Sequence, residues 1–190
     1  MNAKKVLLTM LLIVTAALGA LAQKFDPSPK FLNGEKQVNL VFDYSQIKFA
    51  GVSKDTYYKD KDESWIKEWE GKRKEANEST FTDSFNKWLQ QANIDAGVYS
   101  KAKYTIIVDV LDCDFGKFAG PMSKSAKLKC TLRIVKTGST DVLSSITLQR
   151  APNTFGVITP GPAAVDFDKI YLAFGKTGGD AGAILVKALK

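Results

Sequence analysis

Asp109, Asp112 and Asp114 fall within one apolar run, with Cys113 between two of them, and this is the densest chemistry in the chain. Paired carboxylates about 5–9 Å apart can cleave a glycosidic bond. Asp112 and Asp114, two apart on an extended chain, share a face. Acids just ahead of Gly116 read equally well as a strand ending in a solvated turn, and no calcium-ligand loop follows them. Cys113 has one possible partner, Cys130. A symmetric hairpin about Gly120-Pro121 places the two directly opposite each other as a disulfide candidate. A slip of one residue sends them to opposite faces and leaves two small apolar thiols.

Histidine is absent, and two cysteines complete the set of soft ligands. A Ser-His-Asp or Cys-His nucleophile cannot be assembled, nor a His-based or all-cysteine zinc site. Acid–base work would fall to Asp, Glu, Lys or Tyr. Gly175-Lys-Thr imitates a phosphate loop, but the glycine that motif needs five residues earlier is Ile170. No metal and no cofactor is expected, and the chain is read as not an enzyme.

The remaining candidates are aromatic. Trp65 and Trp69 lie four apart on a predicted helix from about Glu63 to Ala76. Phe81, Phe85, Trp88, Leu89 and Ala92 keep helical spacing over a second helix, about Phe81 to Ala92, with Thr80 and Asp83 as its cap. Such stripes usually face a core. Read as a ligand surface instead, Trp65 and Trp69, with Asp112, Asp114 and the 151–164 loop, would bind a small ligand or glycan.

The elements that must position these residues are three apolar runs between Tyr104 and Arg150. In the first, Tyr104, Ile106, Val108 and Val110 share one face, and Ile107, Leu111, Cys113 and Phe115 the other, so it reads as a central strand. The second alternates Leu128, Cys130, Leu132 and Ile134 with Lys127, Lys129, Thr131 and Arg133. Val38, Leu40, Phe42 and Tyr44 mark an earlier strand from Gln37. A final helix, about Asp166 to Lys190, is capped by Asp166 or Asp168, carries Ile170, Phe174, Ala181 and Leu185 on one side, and is weakened or closely packed at Gly178-Gly179. The expected fold is α+β: about four strands in a mostly antiparallel sheet, with helices packed on one face.

Lys4 and Lys5, the apolar run Val6 to Leu18, and small residues up to Ala22 form the three parts of a secretory signal cleaved before Gln23. Residues 23–36 then form an extended lead-in and residues 37–190 one domain. The 27 basic and 20 acidic residues give a net charge of +7, yet Arg73, Arg133 and Arg150 are the only arginines. Nucleic-acid readers carry arginine forks or basic blocks, so no nucleic-acid partner is expected, nor a membrane span in the mature chain.

Trp65 and Trp69 before the Phe81–Leu89 stretch, Tyr104-Thr-Ile-Ile-Val108, Ala126-Lys-Leu-Lys, Val142-Leu143 after a Thr-Gly-Ser turn, and Asp166-Phe-Asp before the last helix carry a resemblance. In them the chain resembles uncharacterised small exported proteins of Gram-negative bacteria. More remotely, its element order is similar to the α/β domain of envelope accessory proteins: penicillin-binding-protein activators, the curli secretion lipoprotein and the N-terminal domain of the Tol-system periplasmic protein. Those are mostly lipoproteins, and this chain lacks their lipobox cysteine. The resemblance implies a non-catalytic accessory module with an envelope protein partner, periplasmic or secreted, of open oligomeric state. It carries over no site residue.

Overall fold

The computed structural model describes residues 23–116, 125–150 and 162–190. The signal segment 1–22, the Gly120-Pro121 turn and most of the 151–164 loop lie outside the described residues.

Among the described residues seven strands form one sheet: β1 (Gln37–Asp43), β2 (Lys48–Phe49), β3 (Val52–Ser53), β4 (Asp95–Gly97), β5 (Tyr104–Asp114), β6 (Lys127–Lys136) and β7 (Val142–Arg150). β5 is its axis. On one side β5 pairs with β6 and β6 with β7, both antiparallel, as the alternation of apolar residues predicts. On the other side β1 and β2 lie end to end along β5, both parallel to it. β4 then pairs parallel with β1, and β3 antiparallel with β2.

The α+β class holds, but the sheet has seven strands rather than about four, and it is mixed rather than mostly antiparallel. Parallel neighbours need a helical crossover between them, and the long helical stretch after β3 supplies it. Three apolar runs in succession suggest a meander and conceal that β1 enters beside the first of them.

α1 (Lys54–Tyr58) starts on Ser53, whose hydroxyl accepts from the Thr56 amide. α2 (Glu63–Glu68) starts on Asp62, which accepts from the Trp65 amide at 2.8 Å. The chain then passes through a wide turn at Trp69–Arg73, where Gly71 leaves helical geometry (φ −101, ψ −117), and continues as α3 (Lys74–Leu89). The break between the two predicted helices therefore lies at Gly71 and not at Thr80, which is inside α3.

α4 (Pro162–Leu189) begins earlier than expected, so Asp166 and Asp168 lie inside it and not at its start. Its glycines meet α3. A Cβ on Gly178 would sit 2.2 Å from the Phe81 carbonyl oxygen, and one on Gly182 2.7 Å from that of Phe85. Only residues without a side chain let the two backbones approach this closely.

The helices cover one face of the sheet. Ile106, Val108, Val110, Leu128, Cys130, Leu132 and Leu148 are buried there with Phe81, Phe85, Ile170, Phe174 and Leu185. Beside this aliphatic core lies an aromatic one. Phe49 stacks on Tyr57 (4.9 Å) and Phe115 (6.0 Å), and Trp65 stacks on Trp69 (6.2 Å) and Phe167 (5.3 Å).

A bulge in β5 joins the two cores. Val110 lies opposite Cys130 and Asp112 opposite Lys129, so Leu111 is the extra residue. The bulge reverses the side-chain alternation, which turns Cys113 and Phe115 onto the helix side with Val110 rather than onto the face of Ile107. Cys113 then opposes Leu128, and Cys130 opposes Val110. The direct Cys113–Cys130 register is thereby corrected. Both thiols are free and buried. Burial pushes both up, Cys130 to about 12, too high for a reactive thiolate.

Candidate functional site

The face of the sheet turned away from the helices is built from the opposite parity of the same strands: Asn39, Val41 and Asp43 on β1, Thr105, Ile107 and Asp109 on β5, Thr131 and Arg133 on β6, and Thr147 on β7. Parallel pairing sets Asp43 beside Asp109, and antiparallel pairing sets Asp109 beside Thr131 and Ile107 beside Arg133. Side chains that are polar every second residue thus come to share one surface.

Arg133 reaches diagonally to Asp109 and donates twice, from Nε at 2.5 Å and from Nη2 at 2.6 Å. This is the two-pronged geometry in which guanidinium and carboxylate fit best. Side chains 31% and 16% exposed place the pair between a solvated and a buried one, so it is screened less than a surface pair. The Asp109 carboxylate raises Arg133 above its ordinary pKa. Asp43 Oδ1 accepts the Ser45 amide at 2.8 Å, and that bond, with smaller help from Arg133, holds Asp43 below the ordinary carboxylate range.

Asp43, Ser45, Gln46, Asp109, Leu111, Thr131 and Arg133 line a depression of about 360 Å³. Around it runs a hydroxyl ladder. Thr131 and Thr147 hydroxyls meet at 2.8 Å, Thr105 and Thr137 hydroxyls at 2.9 Å, and the Asn39 amide donates to Thr105 at 3.2 Å.

The candidates from the sequence sit elsewhere or are already engaged. Asp112 and Asp114 do share this face, on its far end beside Lys129 and Lys127. Asp112 accepts the Gly51 amide at 3.1 Å and Asp114 the Gly116 amide at 2.9 Å, so both finish turns. Trp69 is buried, and Trp65 packs edge-on against Phe115 as well as stacking on Trp69 and Phe167. These rings build the aromatic core on the helix side and do not join the acids. Among the described residues no group of His, Cys, Asp and Glu could hold a metal ion, and no helix is long and apolar enough to cross a membrane.

The sequence does not single out Asp43 or Arg133 as site residues. The signal was there: each is a charged residue at the wet parity of a strand whose other parity is aliphatic. Only the parallel β1–β5 pairing shows that Asp43 lies beside the Asp109–Arg133 pair.

No protein-family model matches the chain, and no curated protein matches it in sequence. Among solved structures, it is similar to a PelC dodecamer from Paraburkholderia phytofirmans, with 13% identity and a TM-score of 0.37 over 74% of this chain and 87% of that one. A point variant of that PelC dodecamer gives 14% identity and 0.35 over 74% and 85%. A Xanthomonas campestris protein of the family DUF330 gives 13% and 0.39 over 58% and 61%. These neighbours do not confirm the envelope families that the sequence resembles. At such scores the likeness is partial, and the site stands on the chain's own geometry.

Proposed function

We propose that this chain is an exported, non-catalytic binding module of the cell envelope that engages a protein partner through the open face of its sheet. One observation supports this most: the Asp109–Arg133 pair, with Asp43 held beside it by the Ser45 amide, lies on a face that no described helix covers. General acid catalysis needs a carboxyl free to hold and release a proton near neutral pH. Here the Arg133 fork occupies Asp109, backbone amides hold Asp112 and Asp114, and Asp43 titrates low. A face whose side chains are already fixed by mutual hydrogen bonds loses little freedom on association. Its apolar strip, Val41 beside Ile107, is flanked by polar groups as interface cores are. Export rests on residues 1–22.

The test is a photocrosslinking amino acid placed at Thr147 or Gln149, exposed on the open face, or at Tyr171, exposed on α4. In intact cells the first two positions are expected to give a discrete protein adduct that the third lacks. Adducts from Tyr171 alone, or from no position, would overturn the reading.

A further inference from the structure

β1 runs from Gln37 to Asp43, but its outer neighbour β4 ends early. Gly97 lies opposite Asn39, and from Leu40 onward β1 pairs only with β5 among the described residues. Which backbone groups face the unpaired side follows from the ladder. The Asp95 amide donates to the Lys36 carbonyl at 2.9 Å, so Lys36 faces β4. Alternate residues of a strand present their amides and carbonyls to the same neighbour. Val38, Leu40 and Phe42 therefore face that way too, and beyond Gly97 the backbone of Phe42 has no strand to meet. Natural sheets usually block such an edge with a charge, a proline, a bulge or a covering segment. Asp43 puts one charge at the end of this edge, but no proline, bulge or described strand blocks Leu40–Phe42.

Beside this edge lies a second depression, of about 300 Å³, between α3 and β1. Leu40 and Phe42 form its apolar side, Val98 flanks it at 92% exposure, and Glu75, Glu78 and Asp83 of α3 form the far wall. Burial pushes the Glu78 carboxyl above the ordinary glutamate range, against the pull of the Tyr44 hydroxyl and Lys74. The wall thus presents three acidic side chains, two of them, Glu75 and Asp83, exposed.

We propose that the Leu40–Asp43 edge of β1 is a strand-addition site for an extended segment of a partner protein in which Lys or Arg alternates with aliphatic residues. The alternation follows from the pleat. An added strand would turn every second side chain toward α3, where a basic residue can lay its methylene stem on Phe42 and its charge on the acidic wall. The intervening side chains would continue the open face beside Val41, itself 43% exposed, where aliphatic residues fit. Backbone hydrogen bonds would supply affinity and the alternating side chains specificity. This rests on the binding-module reading for the existence of a protein partner, and adds a second surface and its chemistry.

The probe is a capped peptide of about eight residues alternating valine and lysine, titrated into the chain lacking residues 1–22. Saturable binding, at least ~10-fold tighter than for a valine–glutamate peptide, is expected, with slowed hydrogen exchange at the Phe42 amide. The Glu75→Lys/Asp83→Lys variant, both on the outside of α3, is expected to lose at least ~10-fold in affinity. Equal binding of the two peptides, or protection away from β1, would overturn the proposal. The peptide comparison on the unaltered chain decides even if the variant misfolds. Failure here with Thr147 adducts retained removes strand addition alone, and a bound peptide without those adducts removes the open-face reading alone.

Discussion

Seen along β5, the two faces of the sheet are held by different physics. On the helix side Ile106, Val108 and Val110 have no exposed surface and are fixed by close packing. On the open side Asp109 and the buried Thr105 are fixed by hydrogen bonds to Arg133, Asn39 and Thr137. Packing tolerates little change of volume, whereas a half-exposed polar network tolerates substitution so long as no charge is stranded. The helix face should therefore carry the stability and the open face the recognition.

The comparison breaks most visibly at the α3–α4 contact. Gly178→Ala sets a methyl against the Phe81 carbonyl and is expected to cost about 3 kcal/mol in urea unfolding. Gly179→Ala, whose nearest neighbour is 3.9 Å away, should be neutral or stabilising by under about 1 kcal/mol. If the two behave alike, packing does not govern that face.

On the open face, Arg133→Met strands Asp109 and is expected to cost about 1–2 kcal/mol, with part recovered when Asp109→Asn is added. A loss as large as that at Gly178 would erase the distinction between the faces.

A smaller effect sharpens it through pH. Asp43 is held low in the folded state, so its stabilising contribution is complete above the unfolded value of about 3.9 and disappears as pH falls through the lower folded value. Asp43→Asn should flatten the acid limb of a stability–pH curve below about pH 4 and leave neutral pH little changed. Smallest of all, Thr147→Val gives up an exposed hydroxyl contact and should move the midpoint by no more than about 0.5 kcal/mol.

What could be read from the chain follows the same division. β5, β6 and β7 and the terminal helix were legible because burying one face imposes a period of two or of 3.6 on residues such as Leu128, Cys130 and Leu132. β2, β3 and β4, only two or three residues each, are too short to show a period, and α1 is little longer. The wide turn at Gly71 was invisible because the helical spacing continues across it. The Trp65 and Trp69 stripe was legible as a core element. The open-face group was not, since Asp43 comes beside the Asp109–Arg133 pair through a parallel pairing that no local pattern encodes. The cysteine register failed because the β5–β6 pairing sets Cys113 opposite Leu128, two residues short of Cys130.

That extra residue works like a frameshift written into a strand. Upstream of Leu111 one reading frame of β5 addresses the aliphatic helices; downstream the other frame addresses Phe49, Trp65 and Phe167. One continuous strand thereby serves two neighbourhoods of different composition without leaving the sheet. Deleting Leu111 would remove the bulge and leave Val110, Cys113 and Phe115 alternating onto the helix side, with Asp112 and Asp114 outside, in one unbroken frame.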